Sequence, residues 1–510
     1  MLETEKVPWD KTAEVVIVGY GMAGTVAAIT AHDKGAEVLV LEKQPANSHH
    51  TNSSMSGGFI IVPSDVEGAV KYMEALYRVD GDLYWTEREI IRVWAEYSSQ
   101  NKDWIENHGG KLELIAPMGE HFDVPGADSI HGYSFPGRGL RMMRILDQRV
   151  KERRIEIMHD TAAERLITDR NGQVIGVRTN HRDGGVLKTL NVRASRAVIL
   201  TCGGFEFNEQ MKLNYLGVYP AHFTGSPANT GDGIRMGLDV GADLWHMNCC
   251  SAGAVARFPD CPTAFFVELG GQGWLARLFG RDLREPAGYV VVDRNGSRFI
   301  NENIIGTKIH CAYYEFTSFD SRRLRYPRVP SYWIFDQNRM EAGQLALLAA
   351  GASGPQQLHK WSTDNSEELE KGWIITAETI SELATKIDIQ PEVLQKTITT
   401  YNLCCEQGED PDFGRGALNL VPLSRPPFYA VKLWPGGANT QGGPKRNSQS
   451  QVLDPAGRPI PRLYSAGELG SIFGMIYPSG GGNLAECIVF GRIAGENAAK
   501  EELGDYIPRA

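Results

Sequence analysis

The sequence predicts an α/β protein: a nucleotide-binding domain split by an inserted α+β capping domain. Three observations carry this expectation. A glycine-rich strand–turn–helix opens the chain, a second glycine-rich turn opens a helix near its end, and the long stretch between them differs from both in character. At 510 residues the chain exceeds what one ordinary hydrophobic core serves, so two domains are expected.

The opening unit runs Glu14-Val15-Val16-Ile17-Val18-Gly19-Tyr20-Gly21-Met22-Ala23-Gly24-Thr25. An apolar, β-branched run typical of a buried strand leads into G-x-G-x-x-G and then a helical pattern. A second apolar strand, Val38 to Leu41, ends in Glu42, which lies 23 residues beyond Gly19. That spacing is close to the roughly 20 residues that place an acid on a ribose hydroxyl. Gly19 makes the tight turn, Gly21 admits a pyrophosphate, and Gly24 permits close helix–strand packing.

Further along, Trp85 to Asn107 reads as helical, and strands are expected near Ile155 and Val174 and at Val198 to Gly204. From about Trp245 the chain carries more aromatic residues and prolines and no dinucleotide signature. From Phe428 it returns to strand–turn patterns, so a C-terminal strand and helix are expected to complete the first sheet. The expected division is 1–244 and 428–510 for the nucleotide-binding domain and 245–427 for the cap. Ser362 to Glu370 reads as a loop or a solvated helix start.

At the far end, Leu463 to Glu468 reads as a strand and tight turn, and Cys487 to Lys500 as a helix. Between them, Tyr477-Pro478-Ser479-Gly480-Gly481-Gly482-Asn483 sets a phenol beside a glycine-rich backbone. A glycine run opening a helix presents N–H groups and a positive dipole end, suited to a phosphate or to the polar edge of a flavin ring. The tyrosine adds a donor able to polarise a carbonyl.

Composition narrows the function classes. Hydrophobic content of 42% and charged content of 22% are ordinary for globular proteins. A net charge of −10 argues against a nucleic-acid surface. No apolar run reaches the length of a membrane span, and the polar start is unlike a signal peptide. Eight cysteines, including Cys249-Cys250 and Cys404-Cys405, form no disulfide framework, iron–sulfur spacing or haem motif. A cytoplasmic location with reduced thiols is expected, without a metal site, and with electrons passed to or from an external acceptor or donor. The oligomeric state is left open.

Together these motifs resemble the succinate dehydrogenase/fumarate reductase flavoprotein superfamily and, within it, the 3-ketosteroid dehydrogenase-like branch. The resemblance spans most of the chain. Besides the two glycine-rich units it includes Ser53-Ser54-Met55-Ser56-Gly57-Gly58, Thr201-Cys202-Gly203-Gly204-Phe205, Asn229-Thr230-Gly231-Asp232-Gly233, Gly296 to Glu302 and Gly467-Glu468. It implies a Rossmann-type FAD-binding domain and FAD as cofactor. Gly19, Gly21, Met22, Ala23, Gly24, Glu42 and Lys43 are then expected to hold the adenosine diphosphate half. Asn52, Ser53, Ser56, Gly57 and Gly58 form the next loop along the cofactor. Ala163 is expected at the adenine, and Thr201, Gly203, Gly204, Asn229 and Asp232 near the pyrophosphate. Gly467 and Glu468 are expected at the ribityl or pyrophosphate region, with Gly482, Asn483 and Leu484 at the pyrimidine edge of the ring.

The loop His49-His50-Thr51 departs from this pattern. Succinate dehydrogenases carry a flavin-bonded histidine nearby, but counted back from Gly57 it falls on Thr51. Non-covalent FAD is the expectation, with a covalent link through His49 or His50 as the alternative.

On the substrate side, fumarate reductases grip a carboxylate with His-Thr-x-Gly-Gly, whereas this chain has Asn439-Thr440-Gln441-Gly442-Gly443. An arginine expected four residues before Asn483 is Ser479. The position of their proton-donating arginine falls on Glu285, next to Arg284. A small dicarboxylate is therefore not the expected substrate. The ketosteroid branch's Tyr-Pro-Gly-x-Gly is matched by Tyr477, Pro478 and Gly481, and the Tyr-x-Ser-Gly of its Δ4 relatives by Tyr477, Ser479 and Gly480. The branch's second tyrosine is missing from Asn303-Ile304-Ile305-Gly306, so proton transfer is left to Arg284, His310, Tyr313 or Tyr314 in no fixed order.

The expected reaction is dehydrogenation of the carbons α and β to a carbonyl, in a ketosteroid-like or other cyclic ketone, or the reverse reduction of an enone. It needs a polarised oxygen, an acid or base at the α-carbon and flavin N5 facing the β-carbon. The alternatives are a reductase of an unsaturated acid and the flavoprotein subunit of an electron-transfer complex. Trp245-His246-Met247-Asn248 is expected to pack as an aromatic cluster, and Arg322-Arg323-Leu324-Arg325 to lie at a solvated surface.

Overall fold

The computed structural model describes residues 7–269, 287–307, 309–346 and 359–503. The chain divides into two compact units. One comprises Met1–Met211, Ser226–Cys250 and Thr440–Ala510, and the other Lys212–Gly225 and Ser251–Asn439.

The first unit is built on an eight-stranded sheet. From one edge its main path runs Gln451–Leu453, Pro459–Ser465, Val186–Leu200, Lys11–Val18, Val38–Leu41 and Glu156–Met158. The last five of these pair in parallel. Val186–Leu200 also pairs antiparallel with Val174–Asp183, which continues to Thr161–Thr168. Val15, Val16, Ile17 and Val38 to Leu41 are buried, as expected for parallel strands covered on both faces.

Two helices far apart in sequence pack together in this unit, Met22–Asp33 and Gly482–Lys500. Gly491 and Gly495, one turn apart, make this possible. A Cβ on Gly491 would lie 2.8 Å from the Ala23 carbonyl oxygen, and one on Gly495 2.6 Å from that of Ala27. Ile488, Val489, Phe490 and Ile493 around them fill the core.

The second unit centres on the long strand Phe428–Thr440. Its sheet runs Phe265–Phe266, Cys250–Ala256, Phe428–Thr440, Ser331–Asp336 and Tyr289–Val292, and the short strands His222–Phe223 and Ile375–Ala377 also pair with Phe428–Thr440. Helices Ile380–Lys386 and Pro391–Gln407 bury Leu383, Leu394, Ile398 and Tyr401 in one core with Val290, Ile334 and Ala430. Arg298, on a loop, bridges the buried carboxylates of Glu302 and Asp410, both at 2.8 Å.

These units depart from the expected boundaries in a small way at Cys250, where the first unit runs past the expected 244, and in two larger places. The strand beginning at Phe428 bonds antiparallel to Ser331–Asp336, so the chain rejoins the first unit at Thr440 and not at 428. Residues 212–225 also belong to the second unit, because His222 and Phe223 pair with Gly436 and Gly437. A strand's pattern shows that it is buried but not which sheet receives it. Ser362 to Glu370 contains the short helix Ser366–Glu370, whose Glu368 is buried and accepts from the Ser362 amide.

Candidate functional site

The parallel strands of the first unit end at a common edge, and a cleft of about 750 Å³ opens there, lined by Val18, Leu41, Thr201 and Ala466. It lies at the carboxyl ends of these strands, the place where open α/β sheets take ligands.

Gly19 turns the backbone at φ +102°, and its amide donates to the Leu41 carbonyl at 2.8 Å. A Cβ there would lie 2.6 Å from the Thr201 carbonyl oxygen, and one on Gly24 2.0 Å from that of Gly19. At Gly21 the nearest atom is the Ser53 hydroxyl oxygen at 3.7 Å, so this glycine leaves space where the other two are packed. The helix behind it has no side-chain cap, and the Met22 amide donates to the Ser53 Oγ at 3.0 Å.

Glu42 stands at the end of the second strand with 5% exposure. Its carboxylate accepts from the Tyr20 amide at 2.9 Å and the Gln44 amide at 2.8 Å, and His49 Nε2 lies at 3.4 Å. Burial raises its pKa, but His49 and the two amides outweigh this and hold it below the usual carboxylate range. The His49 ring stacks on Tyr20 at 5.6 Å, and the Tyr20 hydroxyl donates to Asp147 at 2.9 Å. Lys43 reaches Asp232 at 2.6 Å and Thr230 at 3.0 Å. Asp232 therefore ties the strand end to its own helix, which is capped by Gly231.

On another wall Glu468 gathers three donors. Its Oε1 accepts from the Gly204 amide at 2.9 Å and Asn229 Nδ2 at 3.3 Å, and its Oε2 from Asn52 Nδ2 at 2.8 Å. Asn52 in turn accepts from the Ser226 amide at 2.6 Å. Burial, with the neighbouring Glu206 carboxyl next in weight, pushes Glu468 well above the ordinary carboxylate range. The Cys202 thiol on the same cleft is pushed up to about 12 by burial, which leaves it protonated and unreactive.

This cradle fits a dinucleotide. Glycines stand where a side chain would block approach, a helix N-terminus opens beside them, and a strand-end carboxylate is placed for a ribose. Of the residues expected to hold FAD, Gly19, Gly21, Met22, Ala23, Glu42, Lys43, Asn52, Ser53, Ala163, Thr201, Gly203, Asn229, Asp232 and Glu468 line the cleft. Gly24, Gly204 and Gly467 stand behind its wall, where a Cβ would meet Gly19, Glu468 and Ala23 respectively. Ser56 fixes the next loop by donating to the Ser53 carbonyl at 2.7 Å and accepting from the Gly58 amide at 3.2 Å, with Gly57 between. The sequence reading missed Gln44, Thr51, Thr161, Cys202 and Met236 on the lining. Cys202 lay within a quoted motif, and the others adjoin residues already singled out or carry no chemical signature.

The glycine turn near the chain's end is held from several sides. Gly481 at φ +100° caps the last helix, and a Cβ on it would lie 2.7 Å from the Ile60 amide nitrogen. His121 Nε2 donates to the Tyr477 carbonyl at 2.9 Å, and the Tyr72 hydroxyl to that of Pro478 at 2.6 Å. The Gly482 amide donates to the Ser479 carbonyl at 3.1 Å. The Tyr477 ring packs edge-on against Phe473, and its hydroxyl accepts from the Asn483 amide at 2.7 Å. Burial pushes the phenol far up against the opposing pull of that amide, so it stays neutral. Asn483 and Gln441 exchange side-chain amide hydrogen bonds, both at 3.1 Å. Leu484 follows, buried in the core. Beneath, Glu486 is buried against Arg446 and accepts from Ser471 and the Ile472 amide.

Gln441, His121 and Tyr72 were not foreseen. Gln441 stood only as the variable position of Asn439-Thr440-Gln441-Gly442-Gly443, and nothing local marks the other two. His246 is buried and stacked on Trp245 at 4.4 Å, as a packed cluster requires. In the second unit, His310, Tyr313 and Tyr314 share the helix Ile309–Glu315. His310 and Tyr313 are buried, and the two tyrosine rings meet edge-on at 5.4 Å. Arg284 and its neighbour Glu285 lie outside the described residues. Arg323 pairs with Asp320 on an exposed turn. Among the described residues no helix is long and apolar enough to cross a membrane.

Comparison with known proteins agrees with this architecture. NADH:acrylate oxidoreductase of Vibrio harveyi is 27% identical, over 97% of this chain and 52% of its own length, so the chain spans about half of that relative. A 3-oxosteroid 1-dehydrogenase of Mycolicibacterium smegmatis is 26% identical over 94% of this chain and 96% of its own. The solved 3-ketosteroid Δ1-dehydrogenase of Sterolibacterium denitrificans, in complex with 1,4-androstadiene-3,17-dione, superposes with a TM-score of 0.79 at 23% identity. That match covers 96% of this chain and 99% of the other, and it establishes the fold. The FAD binding domain model matches residues 14–484, and the chain belongs to that family.

Proposed function

We propose that the protein is an FAD-dependent oxidoreductase acting on a carbon–carbon bond next to a carbonyl, through the Tyr477–Asn483 turn. Bound flavin supplies the hydride acceptor or donor. The chain's own part begins with Tyr477. Accepting from an amide at a helix N-terminus strengthens a phenol as a donor, and this hydroxyl is the group that polarises the substrate oxygen. The Gly481 amide, at the cap of the same helix, is the proposed second donor. His121 and Tyr72 fix the adjacent Tyr477 and Pro478 carbonyls at the start of the turn, so the donors meet the oxygen without reorganising. Proton transfer at the α-carbon falls to the Arg284, His310, Tyr313 and Tyr314 set.

The observation that carries this reading is the hydrogen bond from the Asn483 amide to the Tyr477 hydroxyl. The oxidising direction on a ketosteroid-like or other cyclic ketone draws support from the 3-oxosteroid 1-dehydrogenase relative. The reducing direction on an enone or unsaturated acid draws support from the NADH:acrylate oxidoreductase relative. Asn439 and Ser479, where dicarboxylate reductases carry histidine and arginine, weigh against a small dicarboxylate. FAD is proposed to be non-covalent, because His49 sits at Glu42, the adenosine end of the cleft. Eight free cysteines favour a cytoplasmic location.

An anaerobic screen of cyclic ketones, enones and acyl thioesters, with flavin absorbance as readout, tests the proposal. Bleaching by a ketone, or reoxidation of the reduced protein by an enone, is expected. Turnover only with a co-purifying subunit would favour the electron-transfer complex instead.

A further inference from the structure

Beside the cleft two carboxyl groups approach each other, Glu206 from the core and the half-buried Glu468 from the cleft wall. Glu206 follows the Gly203-Gly204 turn and is wholly buried. Its Oε1 accepts from the Thr440 amide at 2.8 Å and from the Thr440 hydroxyl at 3.3 Å, while its Oε2 has no hydrogen-bond donor. Glu468, on the cleft wall, is its neighbour. A Cβ built on Gly204 would lie 2.8 Å from an oxygen of each, so the two carboxyls converge on one point. The other groups facing Glu468 are Asn52, Asn229, the Gly204 amide and the protonated Cys487 thiol.

Two carboxylates that converge on one point, one of them wholly buried, disfavour joint ionisation, because each charge destabilises the other. One proton between them turns the contact into a hydrogen bond. We propose that Glu206 and Glu468 share a single proton, and that Glu206 is thereby a positioning residue for the flavin, holding Glu468 and its Asn52 and Gly204 contacts at the cleft wall. The upward push on Glu468 is consistent with this. The fully ionised pair repels, Glu468 swings from Asn52, and the wall that faces the cofactor loosens.

The proposal rests on the FAD cleft but not on any substrate. Apoprotein is titrated with FAD, with quenching of flavin fluorescence as readout, from pH about 6 to about 9.5. With one proton linked, the wild-type Kd rises about tenfold per pH unit above the pair's titration. Glu206→Gln keeps an acceptor for Thr440 and a donor toward Glu468, so its Kd stays flat over the same range. Where circular dichroism shows that Glu206→Gln does not fold, Glu468→Gln takes its place with the same flat profile expected. Parallel profiles in wild type and variant, or a flat wild-type profile, overturn the shared proton. Failure to bind FAD at any pH overturns the cofactor assignment itself.

Discussion

The Asn483 amide donates to the Tyr477 hydroxyl at 2.7 Å, which couples the phenol to the N-terminus of the helix that closes the first unit. Tyr477→Phe removes that acceptor and the proposed carbonyl donor while keeping the ring against Phe473. Turnover is expected to fall about 100- to 1000-fold, as for other oxyanion donors. Unfolding free energy should drop by about 1–3 kcal/mol, because the Asn483 amide loses its partner. Flavin content, read by absorbance, should stay near wild type. Undiminished turnover with full flavin would sink the assignment.

Ser479→Ala distinguishes two geometries of the same turn. A Tyr-Pro-x-x-Gly arrangement, with the Gly481 amide as second donor, predicts a turnover loss far smaller than that of Tyr477→Phe. A Tyr-x-Ser-Gly arrangement predicts losses of similar size. Steady-state rates of the two variants side by side decide between them.

Gly495→Val puts a branched side chain where even a Cβ would lie 2.6 Å from the Ala27 carbonyl oxygen. Overpacking of this kind costs about 1–3 kcal/mol. Denaturant unfolding should show the loss, with FAD affinity weakened in parallel because the partner helix starts at the cleft. Wild-type stability would refute the close packing.

Acid should weaken the second unit through Asp410. Burial raises this carboxyl, but Arg298 outweighs it and holds the pKa below the ordinary value. The ion pair's contribution is complete above the unfolded-state pKa near 3.8 and is lost as pH falls through the lower folded value. Asp410→Asn should therefore lower stability at neutral pH and show a shallower acid limb than wild type. Identical acid limbs in pH-dependent thermal denaturation would contradict this.

What the sequence displayed was local chemistry. Gly19, Glu42 and the glycine run before Asn483 were readable because each needs a residue type at a fixed distance from a strand or helix. The strand Phe428–Thr440 was readable as a strand but assigned to the wrong unit, because burial leaves no record of the hydrogen-bonding partner. Gln441, His121 and Tyr72 were invisible for a related reason. Each acts on a turn far away in sequence, and a histidine or tyrosine that holds a remote carbonyl looks like any other. Glu206 lay in plain view, an acid two residues after a Gly-Gly turn. Its meaning depends on Glu468 standing opposite.

The strand Pro459–Ser465 lies against Val186–Leu200, and this arrangement bears on the order in which a ribosome delivers the sheet. When residue 200 has been made, the nascent sheet has an open edge, and the strand that covers it is roughly 260 residues away. At about 5–20 residues per second that interval is on the order of 13 to 50 seconds. The helix Gly482–Lys500, which packs on Met22–Asp33, arrives later still. For that time Val198 to Leu200 lack the strand they pair with in the finished protein, Leu463 to Ser465. The risk of misassembly during synthesis therefore lies in the amino-terminal part, and it ends only when the carboxy-terminal segment docks.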